Sequence, residues 1–387
     1  MKLSGSSILA GLIIGLLIGL PLGFFLAPQA PPASVNLKTA GSTTVYPLSV
    51  AWSGHYFTDT SGVVKLEVSA GGSGYGRTSA VQGSVDFGAA SSYKDPVDYG
   101  ASSNDQISTI PVAADALAVV CNNAVNGSGE NSIFFEREWI IPIFQGNITT
   151  WEDLETEFGI TVQATGSIQV YYRSEASGTT ATFTQWLGEA TYSSYNWTLG
   201  DDELINWPSG ATFHGAEGNP AVANGVAGDS NGIGYVGLAF TEGLAPATLY
   251  NEGNDEWIVP SPESAKTAIP ASPSPPFNIM DSSTSGAYPI ARLIYYLVNT
   301  DPPATSFLRT QYGVQSPYGV RQDTVDFLNW ALSETGGQRI EVIRQEVGYL
   351  EITGTGALTY SQNLVDSLES VVQPVMLPTI QSLMGLA

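Results

Sequence analysis

Short apolar runs alternate with helix-like segments along the first part of the chain. The segments VNLKTAG, VVKLEVSA and VDFGAAS, which begin at Val35, Val63 and Val85, have the length and β-branched content of strands. The polar-apolar pattern between them predicts helices near 47–57 and 78–82. Alternation of this kind indicates an α/β fold with largely parallel strands.

The same alternation returns in the middle of the chain and becomes helical in the final third. SIQVYYRS reads as a strand and is followed by a predicted helix from about Thr179 to Leu187. Further on, apolar residues recur at helical spacing behind Asp323 and Thr324, which we expect to cap a helix. The Pro-rich stretch 259–276 predicts a surface loop or a domain edge.

The N-terminus has a different pattern. Residues 8–27 read ILAGLIIGLLIGLPLGFFLA, without a charge, behind Lys2. At about 1.5 Å per residue, such a helix spans about 30 Å, the thickness of a bilayer core. The alternative is a cleaved signal peptide, but Pro28 stands where a small residue is required. We therefore expect residues 1–33 to be a membrane anchor and a Pro-rich spacer.

The charge balance limits the partners. The chain has 387 residues, with 13 Lys and Arg against 36 Asp and Glu, a net charge of −23. Nucleic-acid affinity comes from clustered basic residues, so a nucleic-acid partner is excluded. One cysteine, Cys121, and two histidines, His55 and His214, are too few for a zinc site or an intrachain disulfide. We expect no metal and no cofactor.

Three clusters rich in Gly, Ser and Thr stand between a strand-like and a helix-like run. They are GSTTVYP at 41–47, GGSGYGRTS at 71–79 and RSEASGTTATF at 173–183. The first N–H groups of a helix lack partners and carry partial positive charge, so each turn is able to hold an anion. Ordinary helix capping and turn formation explain any one of them better. Three together, with Arg173, predict a cage for a tetrahedral oxyanion.

Other chemistries have weaker signals. GIGYVG at 232–237 matches G-x-G-x-x-G, but AGDSN precedes it instead of a strand, so we interpret it as a glycine-rich turn that runs into a strand. Ser73 lies in GGSGY, where Tyr75 replaces the second glycine of a hydrolase elbow, and no base is tied to it. The acidic groups at 152–153 and 201–203 are typical of a solvated surface.

The clusters, in this order, resemble the substrate-binding proteins of phosphate ABC importers. The landmarks that resemble this family are, in chain order, GSTTVYP, GSG, VDFGAAS, IPVAADALAVVCN, IFQGNITTW, RSEASGTT, GIGYVGLAF, YPIARLIYYLVN and FLNWALSETGGQ. The resemblance covers roughly residues 36–350. It implies a type 2 periplasmic-binding-protein fold, in which two α/β lobes joined by a two-segment hinge close on phosphate.

By position, the resemblance assigns phosphate-holding groups to all three turns and to the end of one strand. They are Ser42, Thr43 and Thr44 in the first turn, Ser73 in the second, Ser91 after DFGAA, and Arg173, Ser177, Gly178 and Thr179 in the third. Glu175 falls where the family often has an acidic residue that pairs with this arginine and fixes the orientation of its guanidinium group.

One position departs from the family pattern. After DFGA, where some members carry an Asp that accepts a proton from phosphate, this chain has Ala90, Ser91 and Ser92. Phosphate carries hydrogen at neutral pH and sulfate does not, so a proton acceptor separates the two. The Ser91 hydroxyl both accepts and donates. We favour phosphate, and sulfate or another oxyanion stays open.

The resemblance also implies domain limits and a role. Lobe 1 would comprise 34–112 and 285–387, lobe 2 would comprise 113–284, and hinges would lie near 108–114 and 280–285. The expected protein is an extracytoplasmic monomer, at the cell surface or in the periplasm, that delivers phosphate to an ABC permease without catalysis. Alternatives of other classes are an anchored phosphatase and a surface sensor or adhesion protein.

Overall fold

The structure is a computed structural model that describes residues 35–126, 133–312 and 319–372. Its strands are β1 (Val35–Gly41), β2 (Val64–Ala70), β3 (Phe87–Ala90), β4 (Ile107–Cys121), β5 (Phe134–Phe135), β6 (Gln169–Arg173), β7 (Phe213–Ala216), β8 (Gly232–Gly237), β9 (Ala245–Pro246), β10 (Thr248–Asn251), β11 (Glu256–Ile258) and β12 (Ala291–Asn299). Its α-helices are α1 (Tyr46–Asp59), α2 (Ser73–Gln82), α3 (Asn123–Asn126), α4 (Arg137–Phe144), α5 (Trp151–Phe158), α6 (Gly178–Gly188), α7 (Gly218–Gly228), α8 (Pro262–Thr267), α9 (Phe307–Tyr312), α10 (Gln322–Ala331) and α11 (Gly356–Leu368).

A mixed sheet forms the centre of the molecule, in the order β2-β1-β3-β12-β4-β8-β6-β7, with β9 beside β4. Strand β1 pairs in parallel with β2 and β3, and β6 pairs in parallel with β7 and β8. These two groups of strands, each with the turns and helices that follow them in the chain, are called here the first sheet half (β1, β2, β3) and the second sheet half (β6, β7, β8). The carboxyl ends of parallel strands meet at one edge, so each half gathers its strand-to-helix turns in one place.

The antiparallel strands β4 and β12 join the two halves. The first part of β4, from Ile107 to Ala116, pairs with β12, and its last part, from Leu117 to Cys121, pairs with β8. Strand β12 also pairs with β3 of the first half. All residues of β12, and nearly all of β4, are buried, as expected for strands covered on both faces.

Aromatic clusters hold the helices against each half. In the first half, Trp52 of α1 contacts Tyr296 of β12 edge-on, with ring centroids 5.9 Å apart. In the second half, Phe183 of α6 stacks on Tyr235 of β8 at 4.4 Å. Packed rings of this kind add to the hydrophobic stabilisation and fix the helix positions. The N-termini of α1 and α6 therefore stand at defined places beside the sheet.

The predicted alternation of strands and helices is confirmed for β1 to β3, α1, β6 and α6, and three local predictions are wrong. Helix α2 begins at Ser73 rather than near residue 78, because Gly72, with φ of 85°, turns the chain straight into the helix. The segment Gly232–Gly237 is strand throughout and buried. Helix α10 begins after Arg321, and the Thr324 hydroxyl bonds to Asp86 instead of capping.

The predictions of a membrane segment and of two hinges stay predictions, and the prediction of a Pro-rich surface loop is wrong in part. Within the described part of the chain, no helix is long and apolar enough to cross a membrane. The predicted membrane segment at 8–27 lies outside the described residues. The prediction of a surface loop at 259–276 is wrong for Pro262–Thr267, which form helix α8 with Ser264 and Ala265 buried. The predicted hinge segment 108–114 lies within β4, and the segment 280–285 shortly precedes β12.

Candidate functional site

The first turn, Ser42 to Thr44, connects β1 to α1 and is held by its own backbone. The Ser42 N–H donates to the carbonyl of Ala89 at 2.9 Å, which ties the turn to β3. The Ser42 hydroxyl accepts from the N–H of Thr44 at 3.2 Å, and the fully buried Thr44 lies behind it. Short polar side chains of this kind form such turns because they bond to the backbone two residues on.

The second turn places Ser73 at the N-terminus of α2. The Ser73 hydroxyl accepts from the Ser91 N–H at 3.1 Å and lies 3.4 Å from the Ser91 hydroxyl. A Cβ on Gly72 would lie 2.6 Å from the carbonyl oxygen of Ala176, in the third turn. This glycine is therefore needed both for its positive φ and for the close approach of the two turns.

The third turn brings the second sheet half against the other two turns. Ser177 caps α6, since its hydroxyl accepts from the N–H groups of Thr179 at 3.2 Å and Thr180 at 3.3 Å. A Cβ on Gly178 would stand 2.6 Å from the Ser73 hydroxyl and 2.8 Å from that of Ser91. The turns from both halves thus approach each other so closely at Gly178 that a Cβ at this position has no space.

Hydroxyl groups also meet across the two halves. The Thr44 hydroxyl of the first half lies 3.0 Å from the Thr179 hydroxyl of the second. The Thr43 hydroxyl accepts from the N–H and the side-chain amide of Asn219, both at 3.3 Å. The structure therefore brings the predicted residues of all three turns into one continuous polar cluster.

Arg173, at the end of β6, is buried and paired with Glu175. Its Nε donates to Glu175 Oε1 at 2.9 Å, and its Nη2 donates to the same oxygen. Glu175 Oε1 also accepts from the Gly218 N–H at 3.1 Å. Glu175 Oε2 is buried and has no hydrogen-bond partner within the described ranges. A buried carboxylate oxygen in that state requires a donor from a ligand or from water.

The phenol of Tyr235 supports Arg173 from β8. Its oxygen accepts from the Arg173 N–H at 3.2 Å and lies 2.8 Å from the Thr180 hydroxyl. Burial raises the pKa of Tyr235 to about 12, so the phenol is neutral at physiological pH. Strand β8 therefore sets the position of the arginine backbone without adding charge.

Three buried polar residues behind the first turn were not predicted from the sequence: Asn219, Asp115 and Arg292. Arg292 donates through Nε at 3.0 Å and Nη2 at 2.7 Å to Asp115 Oδ2, and the Leu238 N–H donates to Asp115 Oδ1 at 3.2 Å. Burial raises the pKa of Asp115 and the nearby Arg292 opposes this. A signal was present, since a lone Asp and a lone Arg interrupt the apolar runs of β4 and β12.

The prediction that residues 201–203 form a solvated surface is wrong for Glu203. Its carboxylate is 9% exposed and pairs with the buried Arg77 of α2. The Glu203 carbonyl also accepts from the Ser177 N–H at 2.9 Å. Arg77 donates further to the Ser92 carbonyl at 2.6 Å. Glu203 thus connects the second turn to the third. Its polar neighbours in the sequence did not indicate that it is buried.

The arrangement is suited to holding an anion. Hydroxyls, helix N-termini and one arginine supply donors, and the groups that accept are Ser91 and Glu175. The two histidines lie elsewhere: His55 pairs with Glu346, and His214 bonds to Gln169 and stacks on Tyr171. In the described ranges, no three His, Cys, Asp or Glu side chains are grouped as a metal ion would require.

Known proteins of similar sequence and fold bear related names. The chain is 27% identical over 333 residues to the phosphate-binding protein PstS of Methanocaldococcus jannaschii, which covers 80% of this chain and 81% of the relative. It is 27% identical over 194 residues to alkaline phosphatase L of Pseudomonas aeruginosa, at 47% and 46% coverage.

A solved structure shares the fold. The phosphate-binding protein of Stenotrophomonas maltophilia superposes with a TM-score of 0.60 at 16% identity, over 88% of this chain and 96% of that one. The family model described as the PBP superfamily domain matches residues 27–335. On this match, and with its α/β mixed sheet, the chain belongs to the PBP superfamily.

Proposed function

We propose that the chain binds inorganic phosphate where the three turns meet. The observation that carries this proposal is the close approach of Gly178 of α6 to the hydroxyls of Ser73 and Ser91, which a Cβ on this glycine would meet at 2.6 and 2.8 Å. It unites the N-termini of α2 and α6 beside Arg173. Two helix N-termini, several hydroxyls and one arginine bind a small tetrahedral anion without a surplus of basic residues. The names of the sequence relatives and fold neighbours support the same ligand.

Preference for phosphate over sulfate needs a group that accepts the ligand's hydrogen. Ser91 Oγ stands where some members of the family carry an Asp, and Glu175 Oε2 is a second acceptor. A protonated phosphate supplies a donor to that oxygen, whereas sulfate brings a negative charge and no hydrogen. The unpaired carboxylate oxygen therefore penalises sulfate, since a like charge is brought close to it.

We assign the protein a role in transport. Two lobes, divided as 34–112 with 285–387 and 113–284, would close around phosphate by bending near 108–114 and 280–285. The closed monomer would dock on an ABC permease outside the cytoplasmic membrane, with residues 8–27 as its anchor. The names of the relatives and the antiparallel strands that join the sheet halves support this proposal.

Calorimetry of the purified full-length chain in detergent tests the ligand. We expect phosphate to release heat with saturating 1:1 stoichiometry, and sulfate at the same concentration to bind much more weakly. Equal binding of both anions would mean that Ser91 and Glu175 do not sense the ligand's hydrogen. Absence of phosphate binding would refute the proposal itself.

A phosphatase activity is the second candidate, because a stretch of the chain is similar to alkaline phosphatase L. Hydrolysis would need a nucleophile activated by a base. The candidates Ser73 and Thr179 contact the hydroxyls of Ser91 and Thr44 rather than a base. Release of p-nitrophenol from p-nitrophenyl phosphate would support this alternative. No release, with phosphate bound, favours the binding protein.

A further inference from the structure

Three polar groups contact the hydroxyl of Thr44, which is fully buried behind the anion site. Asn219 Nδ2 lies 2.9 Å from Thr44 Oγ1, and Arg292 Nη2 lies 3.3 Å from it. The Thr179 hydroxyl, at 3.0 Å, is the third contact. Thr44 thus connects helix α7, strand β12 and helix α6.

The other hydrogen bonds of Asn219 and Arg292 show that both side chains donate to the Thr44 hydroxyl. Asn219 Oδ1 accepts from the Gly237 N–H at 3.2 Å, so the amide nitrogen of Asn219 must be the atom that faces the threonines. Arg292 can only donate, and Asp115 holds its guanidinium in place. Two obligate donors therefore occupy the two lone pairs of the Thr44 hydroxyl.

The remaining hydrogen bond then has one possible direction. A hydroxyl that accepts two hydrogen bonds has one hydrogen to give, so Thr44 donates to Thr179. The hydrogen of the Thr179 hydroxyl is left for another acceptor, and no further bond of that hydroxyl is found within the described ranges. The hydrogen of the Thr43 hydroxyl is likewise left for another acceptor, because its oxygen accepts two hydrogen bonds from Asn219.

We propose that Asn219 and Arg292 are positioning residues that direct the hydroxyl hydrogens of Thr43 and Thr179 toward the bound anion. This inference rests on the proposed function. Asn219 belongs to the second sheet half, whereas Thr43 and Thr44 belong to the first. We call this chain of hydrogen bonds, from Asn219 and Arg292 through Thr43 and Thr44 to Thr179, the relay. It is complete only when the two sheet halves are in contact. Contact between the halves therefore fixes the direction in which the hydroxyls of Thr43 and Thr179 donate. Fixed donors bind an anion more tightly because no reorientation is required.

A double-mutant cycle with Thr44→Val and Thr179→Val tests the relay, with phosphate affinity measured by calorimetry on the full-length chain. We expect a loss of about tenfold for Thr44→Val, as for one hydrogen bond to a charged ligand, and a loss at least as large for Thr179→Val. The double variant should bind no worse than Thr179→Val, because both remove the same relay. Thr184→Val, a buried threonine of α6 bonded within its own helix, is the control.

Each outcome decides between the two proposals. Losses that add in the double variant would overturn the relay and leave the phosphate site standing. Failure of the wild-type chain to bind phosphate would overturn the site and the relay together. Should Thr44→Val not fold, Asn219→Asp carries the test, because its second oxygen can only accept and would draw the threonine hydrogens away from the anion. Thermal melting checks folding, and unchanged affinity in Asn219→Asp would overturn the relay.

Discussion

Two arginine–carboxylate pairs with buried arginines, Arg292–Asp115 and Arg173–Glu175, differ in how many of their carboxylate oxygens have hydrogen-bond partners. In the Arg292–Asp115 pair, Asp115 Oδ2 accepts from two nitrogens of the arginine and Oδ1 accepts from the Leu238 N–H. Both carboxylate oxygens are satisfied by the protein. This pair needs nothing from outside.

The Arg173–Glu175 pair is incomplete. Both donating nitrogens of Arg173 bind Glu175 Oε1, which also takes the Gly218 N–H, while Oε2 is buried without a partner within the described ranges. An unmade hydrogen bond on a buried charge is costly. The saturated pair is therefore part of the framework, whereas the unpaired oxygen of Glu175 is the position that we propose the ligand fills.

The largest expected effect is on the saturated pair. Asp115→Asn should lower the free energy of unfolding by about 3–5 kcal/mol, because Arg292 is then buried without a counter-charge. Urea unfolding measures this change. Asp98→Asn, at an exposed position, is the matched control and should have little effect. An unfolding midpoint of Asp115→Asn equal to that of the wild type would contradict the assignment of this pair to the framework.

The next largest effect concerns Arg173. Arg173→Ala should weaken phosphate binding by about 2–4 kcal/mol, since it removes the buried charge that we propose binds the ligand and leaves Glu175 unpaired. Calorimetry at neutral pH measures it. Arg309→Ala removes an arginine whose partner Asp301 is exposed, and serves as control. Unchanged affinity in Arg173→Ala would remove this arginine from the site.

A smaller effect on selectivity is expected at Glu175. Glu175→Gln keeps the side-chain shape and removes the charge that opposes sulfate, so the ratio of phosphate to sulfate affinity should fall by about tenfold, as for one hydrogen bond to a charged group. Competition between the two anions in calorimetry gives this ratio. Glu217→Gln makes the same charge change at an exposed neighbour. If Glu175→Gln and Glu217→Gln change the ratio of affinities equally, the change comes from net charge and contradicts a specific role for Glu175.

The smallest effect is expected for an exposed pair between the sheet halves. Lys94 Nζ lies 3.2 Å from Asp202 Oδ1, and the Asp202 carboxylate is 62% exposed. Lys94→Ala should change stability and phosphate affinity by less than about 1 kcal/mol, because solvent and salt screen such pairs. A larger change, measured by urea unfolding and calorimetry, would show that exposed charges take part in holding the halves together.

Much of the site could be predicted from sequence because its turns are local. Ser177 and Gly178 stand at the start of helix α6. A strand, a turn of Gly, Ser and Thr, and a helix follow one another within a few residues of the chain. The start of α2 at Ser73, five residues before its predicted position, is an exception because tertiary structure contributes to it. The glycines of GGSGYG disfavour helix by propensity, and the positive φ of Gly72 with tertiary packing overrode that tendency.

The chain by itself determined the α/β alternation, the three Gly-, Ser- and Thr-rich turns that we propose hold an anion, and Arg173 at the third of them. Tertiary structure decided which polar residues join them. Arg77 and Glu203 are 126 residues apart, and Arg292 and Asp115 are 177 apart, so no local pattern connects them. A charge within a strand or a polar loop pairs with whatever the fold brings near it. The cost of burying that charge unpaired then makes the pairing a property of the whole fold.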